Sequence, residues 1–159
     1  MDHFRIKNGV LHAEDVPMTR IAEDIGTPVY IYSRATLERH ARVFRDALSE
    51  LDNPHIAFAV KSNPNLAVLK VLANEGYGAD VVSGGELTRA LKAGMKPDDI
   101  VFSGVGKTHD ELLQGLREGI GQFNIESEEE GYELAAIASR HGKRAACALR
   151  VNPDVDART

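Results

Sequence analysis

Lys61 is the residue best placed to do chemistry. It ends the run Ile56-Ala-Phe-Ala-Val-Lys61, in which Ala57, Ala59 and Lys61 fall on one face and Ile56, Phe58 and Val60 on the other. An amine at the end of a small-residue strand gives up water, which frees it as a nucleophile towards aldehydes. Arg150, ending the face Ala146-Ala148-Arg150 of a similar run, would act on it in the same sense. A strand-end lysine can also simply keep its ammonium in water, and spacing alone leaves both readings open.

Other groups have plainer uses. Ser103-Gly-Val-Gly-Lys-Thr108 follows a strand and precedes a helix, as a phosphate-cradling loop does. That loop needs a glycine where Val101 stands, so nucleotide binding is not expected. Gly76-Tyr-Gly78 precedes a strand, the wrong order for a dinucleotide fingerprint. Cys147 alternates with the apolar Leu149 and Val151 and reads as core. One cysteine excludes an internal disulfide, and six scattered histidines offer no metal-ligand spacing. Glu126 to Glu130 reads as the solvated first turn of a helix.

The elements that carry these residues repeat. β-rich runs start at residues 56, 78, 100, 122 and 145, and amphipathic patterns lie between them: Leu66, Leu69 and Leu72; Leu87 and Leu91; Leu112 and Leu116; Leu134 and Ile137. Gly76, Gly94, Gly119 and Gly142 mark the helix ends. Strand-helix units of constant length call for a parallel sheet of the (β/α)8 barrel type. The leucine-rich solenoid, of similar period, is set aside because its Leu/Asn consensus is absent. Polar residues gather at the C-terminal strand ends, where barrel active sites sit: Lys61-Ser62-Asn63, Ser83, Ser103, Glu126 and Asn152.

Before residue 56 the rhythm differs. Phe4 to Leu11 reads as strand, Asn8-Gly9 turn and strand; Val16 to Ile25 as a helix stopped by Gly26; Pro28 to Tyr32 as a strand. Ser33 caps a helix reaching about Leu51. The expected fold is α/β, a partial barrel of about five βα units behind an N-terminal β segment and helix. The divisions are residues 1–33 and 34–159. Eight strands close a barrel, so the chain reads as part of a longer one.

Composition limits the partners. Nineteen Lys and Arg against 24 Asp and Glu give a net charge of −5 with no basic run, which disfavours nucleic acid and anionic membranes. No apolar run reaches the ~18 residues of a membrane span, and the first residues have no signal-peptide stretch, so a cytoplasmic location is expected.

The motifs together resemble a family. Phe58-Ala-Val-Lys61-Ser-Asn-Pro-Asn65 looks like the cofactor attachment site of the alanine-racemase-like, fold-type III pyridoxal-phosphate decarboxylases. Within that group the chain is most similar to the diaminopimelate decarboxylases. This closer likeness runs through Asn8-Gly9-Val-Leu11, Gly26-Thr-Pro-Val-Tyr-Ile-Tyr-Ser33, Gly78-Ala-Asp-Val-Val-Ser83-Gly-Gly-Glu-Leu87, Phe102 to Thr108 and Leu149-Arg-Val-Asn-Pro153. The resemblance implies pyridoxal 5'-phosphate as cofactor, with Lys61 as its attachment and proton-handling residue and Asp80, Ser83 and Arg150 lining it. It also implies conversion of meso-2,6-diaminopimelate to L-lysine by a homodimer, with an amino acid as the small-molecule partner. Ornithine, arginine or carboxynorspermidine decarboxylation, or a non-catalytic cofactor-binding barrel, are the alternatives. In the family, residues 1–33 pack with a C-terminal β-domain. The phosphate-holding glycine loop, the acid facing the pyridine nitrogen and the cysteine motif given across the dimer all lie beyond the fifth strand.

Overall fold

The computed structural model describes residues 2–155, which form two compact units, one up to Pro54 and one from His55 onward.

In the first unit β1 (Phe4–Lys7), β2 (Val10–Ala13) and β3 (Val16–Pro17) make an antiparallel sheet, with Phe4 opposite Ala13 and Lys7 opposite Val10. The β1–β2 turn is Asn8-Gly9, both with positive φ. Helix α1 (Met18–Ile25) stops at Gly26, and α2 (Arg34–Ala47) starts at Ser33, whose Oγ accepts from the Thr36 N–H. The Glu14 carboxylate reinforces that start by accepting from Ser33 Oγ at 2.7 Å and from the Ala35 N–H at 2.9 Å. Two expectations are corrected here. Residues 28–32 do not form a strand: they find no ladder partner among the described residues, and Tyr30 and Tyr32 are exposed. Helix α2 ends at Ala47 instead of near Leu51.

The second unit is the expected series of βα units. Strands β4 (Ala57–Ala59), β5 (Gly78–Val81), β6 (Ile100–Phe102), β7 (Gln122–Ile125) and β8 (Cys147–Leu149) form one parallel sheet in sequence order. Between them run α3 (Leu66–Asn74), α4 (Gly84–Ala93), α5 (His109–Glu118) and α6 (Glu128–Arg140). Side-chain caps start these helices: Asn65, Ser83, Thr108 and Ser127 accept from the N–H groups of Ala67, Glu86, Glu111 and Glu130. Each such cap stabilises by about 1 kcal/mol. Left-handed Gly94 and Gly119 close α4 and α5.

Register separates the two sheet faces. Val81, Phe102, Phe123 and Cys147 share a row on one face, and Ala59, Asp80, Val101 and Gln122 a row on the other. The first face is the core: Val60, Ala79, Val81, Ile100, Phe102 and Phe123 are buried beside Leu69, Leu87, Leu112 and Leu134 of the helices. Phe102 and Phe123 stack with ring centroids 6.3 Å apart. Cys147 and Leu149 lie on this face but are exposed, correcting the expectation that Cys147 is core. Their strand is the sheet edge and, among the described residues, pairs only with β7.

Candidate active site

Apart from Val101, the opposite face is lined by small and polar side chains, a departure from the apolar runs usual in parallel sheets. Ala57 and Ala59 line it on β4, Asp80 on β5, Gln122 and Asn124 on β7 and Ala148 on β8. At the C-terminal end the chain leaves β4 through a 3-10 turn, Val60–Ser62, that buries Val60 and carries Lys61 outward. Lys61 is therefore exposed, not desolvated as its strand position suggested, and no group among the described residues pairs with its ammonium. Asp80 stands opposite Ala59, two residues before Lys61.

Asp80 is held from behind. Gln122 Nε2 donates to Asn124 Oδ1 at 2.7 Å, Asn124 Nδ2 donates to Ser103 Oγ at 2.9 Å, and Ser103 Oγ donates to Asp80 Oδ1 at 2.5 Å. The chain crosses three strands, is partly buried and points all its donors towards the carboxylate. Sequence reading placed Ser103 at this end of the sheet but missed Asn124 and Gln122. Their signal was polar residues at every second position, Gln122, Asn124 and Glu126, along one face of β7 and just past its end.

Ser83 lies one turn beyond β5 with its hydroxyl committed to the α4 N-terminus: Oγ accepts from the Glu86 N–H, and Glu86 Oε2 accepts from the Val82 N–H. Next to it, Glu111 Oε1 accepts from the Gly84 N–H and Oε2 from the Thr108 N–H. Those backbone bonds hold the Glu111 carboxyl below the usual range for glutamate.

Arg150 follows β8. Its Nη1 donates to Glu126 Oε1 at 3.1 Å, and the same oxygen accepts from the Gly104 N–H at 2.9 Å. Burial alone would raise the Glu126 carboxyl, but the Gly104 N–H and the Arg150 guanidinium bring it below its usual value. Glu126 is thus no solvated first-turn acid: it ties the β6–α5 loop to the cation expected at this mouth. Beside it opens a groove of about 640 Å³, lined by Ile125, Glu126, Tyr132, Leu149, Arg150 and Val151 among others.

The loop that looked phosphate-binding is closed on itself. Lys107 Nζ donates to the Gly104 and Asn124 carbonyls and to Glu130 Oε1, so all three of its protons are used. Among the described residues no group of three or more His, Cys, Asp or Glu is placed to hold a metal, and no helix is long and apolar enough to cross a membrane.

The structure brings Asp80, Ser103 and Asn124 into one bonded set and Arg150 and Glu126 into another, both at the same end of the sheet as Lys61. A flat aldehyde-bearing ring suits this face: the β4 side chains are methyls, an unpaired amine stands at the rim, and a carboxylate is fixed on the neighbouring strand.

The chain is similar to known proteins in sequence and fold. Residues 34–159 match the family described as pyridoxal-dependent decarboxylase, pyridoxal binding domain. The chain is 53% identical over 158 residues to the diaminopimelate decarboxylase of Zymomonas mobilis, covering 98% of this chain and 38% of that protein. The figure is again 53%, over 161 residues, for the diaminopimelate decarboxylase of Pseudomonas fluorescens. The crystal structure of the M. jannaschii diaminopimelate decarboxylase in co-complex with L-lysine superposes with a TM-score of 0.88 at 35% identity, covering 99% of this chain and 38% of that one. The chain spans about 38% of the length of the curated relatives it matches. With a matching five-strand barrel segment and a family model that covers most of its length, this chain belongs to the pyridoxal-dependent decarboxylases, through their pyridoxal-binding domain.

Proposed function

We propose that these residues are the cofactor-holding part of an enzyme that decarboxylates meso-2,6-diaminopimelate to L-lysine, a step of lysine biosynthesis. The observation that carries this reading is identity of about half the residues with diaminopimelate decarboxylases across essentially the whole chain. The motif of the unpaired Lys61 lies inside that span. Pyridoxal phosphate, when bound, supplies an electron-accepting ring for the carboxylate's departure. The chain's own residues supply the rest: Lys61 the amine that attaches the cofactor and later handles protons, Asp80 a fixed carboxylate beside it, Ser83 a backbone turn at a helix N-terminus, and Arg150 a cation steadied by Glu126.

The same resemblance supports a homodimer acting in the cytoplasm on an amino-acid substrate, with residues 1–33 packing against a C-terminal β-domain and residues 34–159 forming the barrel portion. Exposed Ile6, Leu11 and Val16 on the small sheet agree with further packing there.

The test uses the gene-encoded protein loaded with pyridoxal phosphate. Borohydride reduction and peptide mapping should place the label on Lys61 and lose it in Lys61→Ala. Carbon dioxide release should follow from meso-diaminopimelate and not from ornithine, arginine or carboxynorspermidine. Label that persists in Lys61→Ala, or turnover of one of the other amino acids instead, overturns the reading.

A further inference from the structure

We propose that Ser103, with Asn124 and Gln122 behind it, is a positioning residue that fixes Asp80 so that only its Oδ2 faces the site. The inference rests on the cofactor reading above and adds to it a role for Ser103 and two residues, Asn124 and Gln122, that the sequence motifs do not single out.

A serine hydroxyl has one proton to give, and here the Asn124 amide donates to Ser103 Oγ, so that proton goes to Asp80 Oδ1. Asn124 Oδ1 is in turn occupied by the Gln122 amide, which fixes which end of Asn124 points at Ser103. Reversing the chain requires two amide flips and a hydroxyl rotation together. Asp80 Oδ1 therefore always meets a donor, and any proton that Asp80 exchanges moves at Oδ2, which has no protein partner among the described residues. Bonds in such a chain polarise one another, so its loss is felt at the carboxylate end. The strands fix the spacing: Asp80 and Val101 are paired in register, as are Val101 and Gln122, so Ser103 and Asn124 follow two residues on along the same face.

The test again uses the gene-encoded protein loaded with pyridoxal phosphate, without substrate. Ser103→Ala should keep the borohydride label on Lys61 but move the pH midpoint of the visible absorption band by about one unit, the size expected for one hydrogen bond to a charged group. In turnover, kcat should fall about tenfold with KM changed less than about twofold. Ser103→Thr, which keeps the hydroxyl, should restore both. If Ser103→Ala does not fold, Asn124→Ala carries the same test one bond further back with a smaller shift. An unchanged midpoint and kcat with Lys61 still labelled overturns this inference alone, as does a threonine variant that behaves like alanine. Absence of label on Lys61 in the unsubstituted protein overturns the cofactor reading and this inference together.

Discussion

The Lys107 ammonium and the Glu130 carboxylate stand 2.7 Å apart with only 1% and 8% of their side chains exposed. A buried pair is costly to desolvate and is held here by added bonds to the Gly104 and Asn124 carbonyls, with the ammonium 5.8 Å from the Phe102 ring centroid. Removing one partner strands the other. Lys107→Met should lower unfolding stability by about 3 kcal/mol in urea titrations, and adding Glu130→Leu should recover much of that loss. Because the lysine is spent on this pair, isothermal titration should show no micromolar ATP binding. ATP binding that disappears in Lys107→Met would revive the phosphate-loop reading.

Glu111 gives the fold an acid limit. Its folded carboxyl lies below the ordinary value of 4.5 because the Gly84 and Thr108 N–H groups bond its charged form. A carboxyl lowered on folding adds stability that is whole above its unfolded value and drains away as pH falls through the folded one. The Glu111→Gln variant should therefore lose stability at neutral pH and show a flatter decline as pH drops from about 4.5 downward. Thermal melts of both proteins across that range check it. Parallel curves would show that the two N–H contacts carry no linkage.

Gly78 opens β5 where a second chain segment crosses it. A Cβ built there would lie 1.9 Å from the Asp99 carbonyl oxygen, a backbone atom that cannot swing aside. Gly78→Ala should cost at least about 2 kcal/mol, since the strand and the turn after α4 must separate. Gly85→Ala, in the first turn of α4 and meeting only Ser83 Oγ at 3.8 Å, should be neutral or stabilising by up to about 1 kcal/mol. Equal losses at the two positions in denaturant titrations would contradict the close-approach argument.

What was legible in the sequence was what depends on period. Strand starts near 56, 78, 100, 122 and 145, the cap Ser33 and the glycine stops all rest on local rules, and all five runs became neighbouring strands. Residues 28–32 show where such rules end: β-branched and aromatic types favour extension, but a strand exists only where another segment offers its backbone. Cys147 failed for a related reason, because alternation tells which face a side chain takes and not whether anything covers that face. The polar set of Ser103, Asn124 and Gln122 was hidden because its members lie up to 21 residues apart and meet only through register. Parity and motif single out Lys61 as the candidate amine, but its exposure depends on the 3-10 turn, which no spacing rule foretold.

A polypeptide of residues 1–159 alone should be a poor monomer. Strands β4 and β8 each pair on one side only among the described residues, so both edges present unmet N–H and C=O groups. Beside β8, Leu149 is 79% exposed, Val151 77% and Tyr132 68%, forming an apolar wall along the edge. Backbone templates and apolar cover favour the same event, addition of strands from another copy, and no cluster of like charge on β8 opposes it. Light scattering should show concentration-dependent association, and near-UV circular dichroism a weak tertiary signal. Pyridoxal phosphate should bind weakly, since Lys61, Asp80 and Arg150 offer an amine, a carboxylate and a cation already paired with Glu126, while Lys107 is closed to phosphate. Carbon dioxide release from meso-diaminopimelate should be undetectable even with cofactor in excess. A cooperative monomer with turnover would mean that five βα units suffice to hold cofactor and substrate, and that the exposed β8 edge is stable in water.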